Sequence, residues 1–194
     1  VTCIIANEGS GVSQAIGTGG RDVKDAVGGI TFLDAMQALA DDRETKVLLL
    51  VSKPPQPGVL KKIYGLIRKI KKPVVALFLG EGGTPSTLEQ AALLSVAHAN
   101  GEDPVQALAH LARRDEILAA EARSIVAKRK KNKGRYLRGL FSGGTFCAEA
   151  QVVLDGIVRH LCSNAPLGDS QKLKNAWKPE KNAIVDLGED EFTV

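Results

Sequence analysis

Two unbroken apolar runs, Lys46–Val51 (KVLLLV) and Pro73–Leu79 (PVVALFL), constrain the fold of this chain most. Runs that do not alternate with polar residues mark strands buried on both faces, as in the interior of a parallel sheet. Between them, Pro57–Ile70 reads as an amphipathic helix. Its outer face carries Lys61, Lys62, Arg68, Lys69, Lys71 and Lys72, a run that an ordinary solvated face explains. Strand, helix and strand in succession predict a doubly wound parallel sheet with ligand loops at the strand carboxyl ends. A chain of 194 residues, 44% hydrophobic and only 4% aromatic, suits one such α/β domain or a domain with an insertion.

The ends of the expected strands are unusual. VSQAIG reads as a short strand that stops at Gly17-Thr18-Gly19-Gly20, followed by Arg21 and Asp22. This loop does not fit GxGxxG opening a helix, because Gly28 and Gly29 intervene before Thr31 caps the next helix. The run KVLLLV stops at Ser52-Lys53-Pro54-Pro55, where the prolines stiffen the backbone. PVVALFL is closed by Gly80. Further on, Leu140 and Phe141 stop at Ser142-Gly143-Gly144-Thr145, and a helix is expected from Thr145 to Asp155, with Gly156 as its left-handed terminator. Ile157–Ser163 then reads as a strand. Glycines ahead of a helix allow close backbone approach, and the first helical turn offers unpaired N–H groups and the positive dipole end to an anion. A tight turn with Thr145 as an ordinary N-cap fits the same residues.

From Thr84 to about Lys133 no strand pattern is present. Helices are expected at Ser86–Ala99, with Glu89 completing a capping box, at Asp103–Ala112 and at about Asp115–Lys130. The expected layout is thus residues 1–80 with 135–194 in one sheet-bearing domain, and 81–134 as an all-helical insertion. The run KRKKNKGR lacks interleaved aromatics and sits at a helix end where cations are favoured, so nucleic acid is not the expected partner. Three cysteines without CxxC spacing argue against a zinc site or a disulfide framework and for a reducing cytoplasm. No apolar run approaches the ~20 residues of a membrane span. The chain opens at Val1 directly into the end of a helix, which reads as a piece of a longer protein.

The order IGTGGRD, helix, KVLLLVSKPP, basic helix, KPVVALFLG and GLFSGGTFCAEA resembles the FdrA-type acyl-CoA synthetase-like proteins, relatives of the succinyl-CoA synthetase α subunit. The resemblance implies a flavodoxin-like ligase domain whose first strand lies upstream of Val1. It also implies an ATP-grasp-type or other partner subunit or domain, and an oligomer. No cofactor is expected on this segment alone, while CoA and ATP, or carbamoyl phosphate, are implied for a full protein. In succinyl-CoA synthetases the loop matching Ser142–Thr145 reads GHAG, and its histidine carries phosphate. Here that loop has no histidine; His98, His110 and His160 lie elsewhere. The family's glutamate that meets the phosphohistidine falls near Ser52-Lys53, with its charge reversed.

These departures leave a site of fixed cations and backbone donors for small carboxylate or phosphate groups. Lys53 and Arg21 are its charge-bearing candidates, with Gly19, Gly20, Ser52, Ser142, Gly143 and Gly144 as backbone or hydroxyl donors and Thr145 as a hydroxyl donor to an oxyanion. Cys147 reads either as a nucleophile activated in a helix's first turn or as a small buried hydrophobe. Two functions from different classes follow. One is a ligase-like domain of a CoA-ligase relative, with an oxamate carbamoyltransferase-type subunit of purine or allantoin catabolism as a variant. The other is a non-catalytic scaffold that docks partner subunits. The loops 17–22, 52–55 and 142–145 are expected to converge on one sheet edge.

Overall fold

The computed structural model describes residues 1–128, 134–167 and 172–193. They form two compact units, Val1–Leu118 and Ala119–Val194, with the boundary falling inside a helix. The expected α/β class with parallel strands is what both units have.

In the first unit, β1 (Leu48–Ser52) pairs in parallel with β2 (Val74–Phe78), Leu48 opposite Val74 and Ser52 opposite Phe78. The crossover between them is α3 (Pro57–Ile67), which starts on a proline whose missing N–H costs nothing in a first turn. Strand side chains alternate, so the sheet has two apolar faces and needs two covers. One face places Leu50 and Phe78, with Val74 and Ala76, in a core with Val23, with Val59 and Ile63 of α3, and with Phe32 and Met36 of α2 (Ile30–Asp41). On the other face, Leu49 packs with Ile5 of α1 (Thr2–Asn7) and with Ala92 and Val96 of α4 (Leu88–Asn100). The sheet is therefore doubly wound.

Local chemistry shifts several element ends. α2 begins at Ile30, one residue before Thr31, with Gly29 as its N-cap in the left-handed region (φ 73), and no side chain of its own caps it. At α4 the capping pair is Thr87 and Gln90 rather than Ser86 and Glu89. Thr87 Oγ1 accepts from Gln90 N at 3.2 Å, while Gln90 Oε1 accepts from Ser86 N at 2.8 Å. The two helices expected after Asp103 are one, α5 (Pro104–Lys128), since nothing between Ala112 and Asp115 breaks the pattern. Residues 81–128 contain no strand, and α4 is one of the layers on the β1–β2 sheet. Residues 12–17, expected as a strand, belong to no regular element. Most of the basic run, residues 129–133, lies outside the described residues.

The second unit has its own sheet, so the strands do not share one sheet as expected. Its order is β3 (Arg138–Phe141), β5 (Ala183–Asp186), β4 (Cys162–Ser163), all parallel. The reason is β5, a buried run that the sequence reading passed over; it supplies β3 and β4 with a common partner. α6 (Gly144–Leu154) lies over one face, where Cys147 packs with Leu161 and Ile184. It ends at Leu154 with Asp155 as an extended C-cap, and Gly156, the expected terminator, follows in the left-handed region at φ 73. The strand expected over 157–163 shrinks to two residues. Ile157 and Val158 N–H both bond Leu154 O, and His160 turns the chain at φ 54. A short helix, α7 (Asp190–Thr193), follows β5.

Candidate functional site

Parallel strands put their carboxyl ends on one edge, and each unit has such an edge. In the first unit, Leu79 N donates to Ser52 O at 3.0 Å, which sets the exit of β2 beside the exit of β1. Exposed Lys53 leaves β1 there. Beyond β2 comes Gly80-Glu81-Gly82-Gly83, an exposed loop with Gly80, Gly82 and Gly83 at φ 91, 77 and 91, leading to the Thr87 cap of α4. The sequence reading stopped at Gly80 and missed this loop; the spacing of its glycines between a buried run and a capped helix was the signal.

The loop carrying Gly19, Gly20 and Arg21 comes to the same edge of this unit. Gln56 N, just past the end of β1, donates to Val23 O at 3.0 Å, and Gln56 Oε1 accepts from Asp25 N. Asp22, between these contacts and the glycines, is buried. Its carboxylate accepts from Thr31 N at 3.0 Å and Phe32 N at 2.8 Å, capping α2 from outside the helix. Burial alone would push the Asp22 carboxyl up. The N–H groups of Phe32 and Thr31 and the Thr31 hydroxyl together outweigh it and hold the group below the usual carboxylate range. Asp25 caps α3 from outside that helix, accepting from Val59 N at 3.3 Å. Arg21 is exposed. Of the predicted residues, Gly19, Gly20, Arg21, Ser52 and Lys53 thus belong to one edge of one unit.

The second unit holds the other predicted residues. Ser142 follows β3, Gly143 is the N-cap of α6 with an extended backbone, and no side chain caps that helix. Thr145 is therefore inside the first turn and exposed, not a cap. The loop is fixed from β5: Leu187 N donates to Phe141 O at 2.7 Å, and Gly188 N donates to Asp186 Oδ1 at 2.9 Å. A Cβ on Gly188 would lie 3.1 Å from that oxygen and 3.7 Å from Ser142 O, so a larger residue here would need the Asp186 side chain to shift slightly. Asn164, after β4, pairs with the Asp186 backbone through both amide atoms, at 2.8 and 2.9 Å. Asp186 and Asn164 went unread in the sequence because their strands did.

Cys147 is fully buried on the inner face of α6. Its sulfur lies 3.7 Å from both Ser163 Oγ and Gln151 Nε2, and Gln151 also donates to Cys147 O and Ala165 O. That is the setting of a packed small hydrophobe, not of a nucleophile that a substrate could reach. The histidines are all exposed and away from these loops: His98 in the last turn of α4, His110 on α5 and His160 ahead of β4. Among the described residues no group of three or more His, Cys, Asp or Glu is placed to hold a metal, and no helix is long and apolar enough to cross a membrane. Backbone N–H groups at helix starts and cations beside them are the kind of groups that small oxyanions pair with.

No family model matches the chain. Over 190 residues, 95% of its length, it is 36% identical to a protein of Escherichia coli strain K12, YahF, described as uncharacterized. The match takes in 36% of YahF, so the chain spans little more than a third of that relative's length. It is also 33% identical over 81 residues to the α subunit 1 of the ADP-forming succinate–CoA ligase of Archaeoglobus fulgidus. Those residues are 42% of this chain and 26% of that subunit. The similarity to succinate–CoA ligase is partial.

Proposed function

We propose that this chain is the ligase-like part of an FdrA-type acyl-CoA synthetase, a relative of the succinate–CoA ligases. In this reading its strand-end loops receive small carboxylate or phosphate groups without a phosphohistidine shuttle. One observation carries it: in each unit a parallel strand ends in glycines that open onto a helix N-terminus, with Lys53 beside the loop in the first unit and no histidine in either loop. The partial similarity to a succinate–CoA ligase α subunit supports the substrate class. Lys53 and Arg21 supply charge at one edge. The first-turn N–H groups of α6, with Ser142 and Thr145, supply donors at the other. A nucleotide-binding partner of ATP-grasp type, on a separate subunit or further along a longer protein, completes the reaction.

Calorimetric titration with inorganic phosphate and with acetyl phosphate tests the reading. A charged hydrogen bond to an anion contributes about 1.5–3 kcal/mol, so Lys53→Ala weakens binding about tenfold or more with the fold intact. Unchanged affinity in Lys53→Ala and in Gly143→Pro, a variant that reshapes the cap of α6, would leave both loops as plain helix starts.

A further inference from the structure

Gly58 and Gly65 stand two turns apart on one face of α3. The chain itself explains the first. A Cβ on Gly58 would lie 2.7 Å from Asp25 Oδ1, on the carboxylate that caps this helix. Nothing within the chain explains the second. A Cβ on Gly65 would meet nothing within 4 Å beyond its own helical turn, and its backbone is not left-handed, so it is no terminator either. Glycine there weakens the helix relative to alanine. Its neighbours on the face, three and four residues away on either side, are Lys61, Lys62, Arg68 and Lys69, all exposed. Lys62 Nζ donates to Gly28 O at 3.1 Å. Lys61, Arg68 and Lys69 make no ion pair and no side-chain hydrogen bond among the described residues. A solvated helix face ordinarily mixes the two signs, but all 22 Asp and Glu residues lie outside residues 45–80. A bare stretch of backbone thus sits inside a ring of four uncompensated cations.

We propose that this face of α3 docks an acidic helix of a partner protein, which crosses over Gly65 with its carboxylates among the four cations. The distance between packed helices is set by the side chains at their contact, so a glycine at the crossing lets the second backbone come close. Lys61 and Arg68 stand about 10 Å apart along the axis, and carboxylates two turns apart on the partner helix match them. Charge of one sign on each surface steers the encounter and fixes its register. A bilayer is a poorer occupant, because Val59 and Ile63 of α3 are buried in the core and leave nothing apolar to insert. Nucleic-acid phosphates are reached by long side chains and need no bare backbone between them. The face lies on the outer side of the crossover helix, and the partner is recognised there whether or not the strand-end loops bind an anion.

Fluorescence anisotropy on the whole chain tests this with a labelled probe, a synthetic Glu-rich helical peptide carrying alanine at its crossing position. Binding is expected at low salt and should weaken about tenfold as ionic strength rises from about 0.02 to about 0.15 M. Lys61→Glu and Lys69→Glu should each weaken it about fivefold or more. Lys46→Glu, the same change of charge ahead of β1, should leave it within about twofold. Gly65→Leu, which fills the gap, should weaken binding about tenfold, while Gly65→Ala should raise the midpoint of urea unfolding. No binding of the probe, equal effects of Lys46→Glu and Lys61→Glu, or full affinity in Gly65→Leu overturns the proposal. So does a lower unfolding midpoint in Gly65→Ala, which would make the glycine a need of the fold. A single-stranded DNA oligomer that binds more tightly than the peptide, with the same loss in Lys61→Glu, would give the face to nucleic acid and overturn it too.

Discussion

Removing the Asp22 carboxylate should destabilise the first unit through the start of α2. Asp22 supplies what α2 lacks in its own sequence: a cap for a helix that begins on a glycine. Two backbone N–H groups depend on it, one of them buried. A hydrogen bond to a charged group is worth about 1.5–3 kcal/mol, and loss of an N-cap alone costs about 0.5–2 kcal/mol. Asp22→Ala should therefore destabilise by about 2–4 kcal/mol, and Asp22→Asn, which keeps one acceptor, by about half of that. The sign of the pH effect follows from the depressed folded-state titration. The folded chain binds fewer protons at this group than the unfolded one, so its stabilisation is present above the ordinary carboxylate range and is lost as pH falls through the folded value. Urea unfolding followed by helical circular dichroism, with amide exchange over Ile30–Asp41, measures both. A loss below about 0.5 kcal/mol in Asp22→Ala, or a parallel pH profile in Asp22→Asn, would refute the capping argument.

Gly29→Ala should destabilise by about 2–4 kcal/mol in the same assay. The site combines a left-handed backbone with a Cβ placed 2.6 Å from Val59 Cγ1. A thiol reagent should label exposed Cys3 at once and Cys147 only on unfolding, as peptide mapping will report; rapid labelling of Cys147 would reopen it as a nucleophile. Incubation with labelled ATP or acetyl phosphate should leave no acid-labile phosphate on the chain, and stoichiometric phosphohistidine on His98, His110 or His160 would contradict the proposed chemistry.

Where the sequence carried one strong signal per element, the fold was legible in it. KVLLLV and PVVALFL could be buried only between two layers, and the structure places α2 and α3 on one side and α1 and α4 on the other. The readings that failed did so where a distant partner decides. VSQAIG was expected as a strand but makes no ladder among the described residues, and a strand exists only where a partner edge receives it, which local sequence does not show. Thr31 looks like a cap, yet Asp22 does that work from another loop, and local spacing cannot show it. The division into two sheets turned on Ala183–Asp186, a run of four residues too short to stand out beside the longer apolar runs.

Glycines before helices and cations after strands are written locally in the sequence, whereas what surrounds them is not. Cys147 shows the limit. Its place in the first turn of α6 gave it a chemical reading, but the fourth, fifth and eighth residues of that helix, Cys147, Ala148 and Gln151, share its buried face. The same geometry turns Thr145 and Phe146 outward, where they remain exposed. A loop of this kind offers hydrogen-bond donors and no proton shuttle. In the proposed function its chemistry is to hold an oxyanion still while another group acts, so that the reacting phosphate arrives on a substrate rather than on the chain.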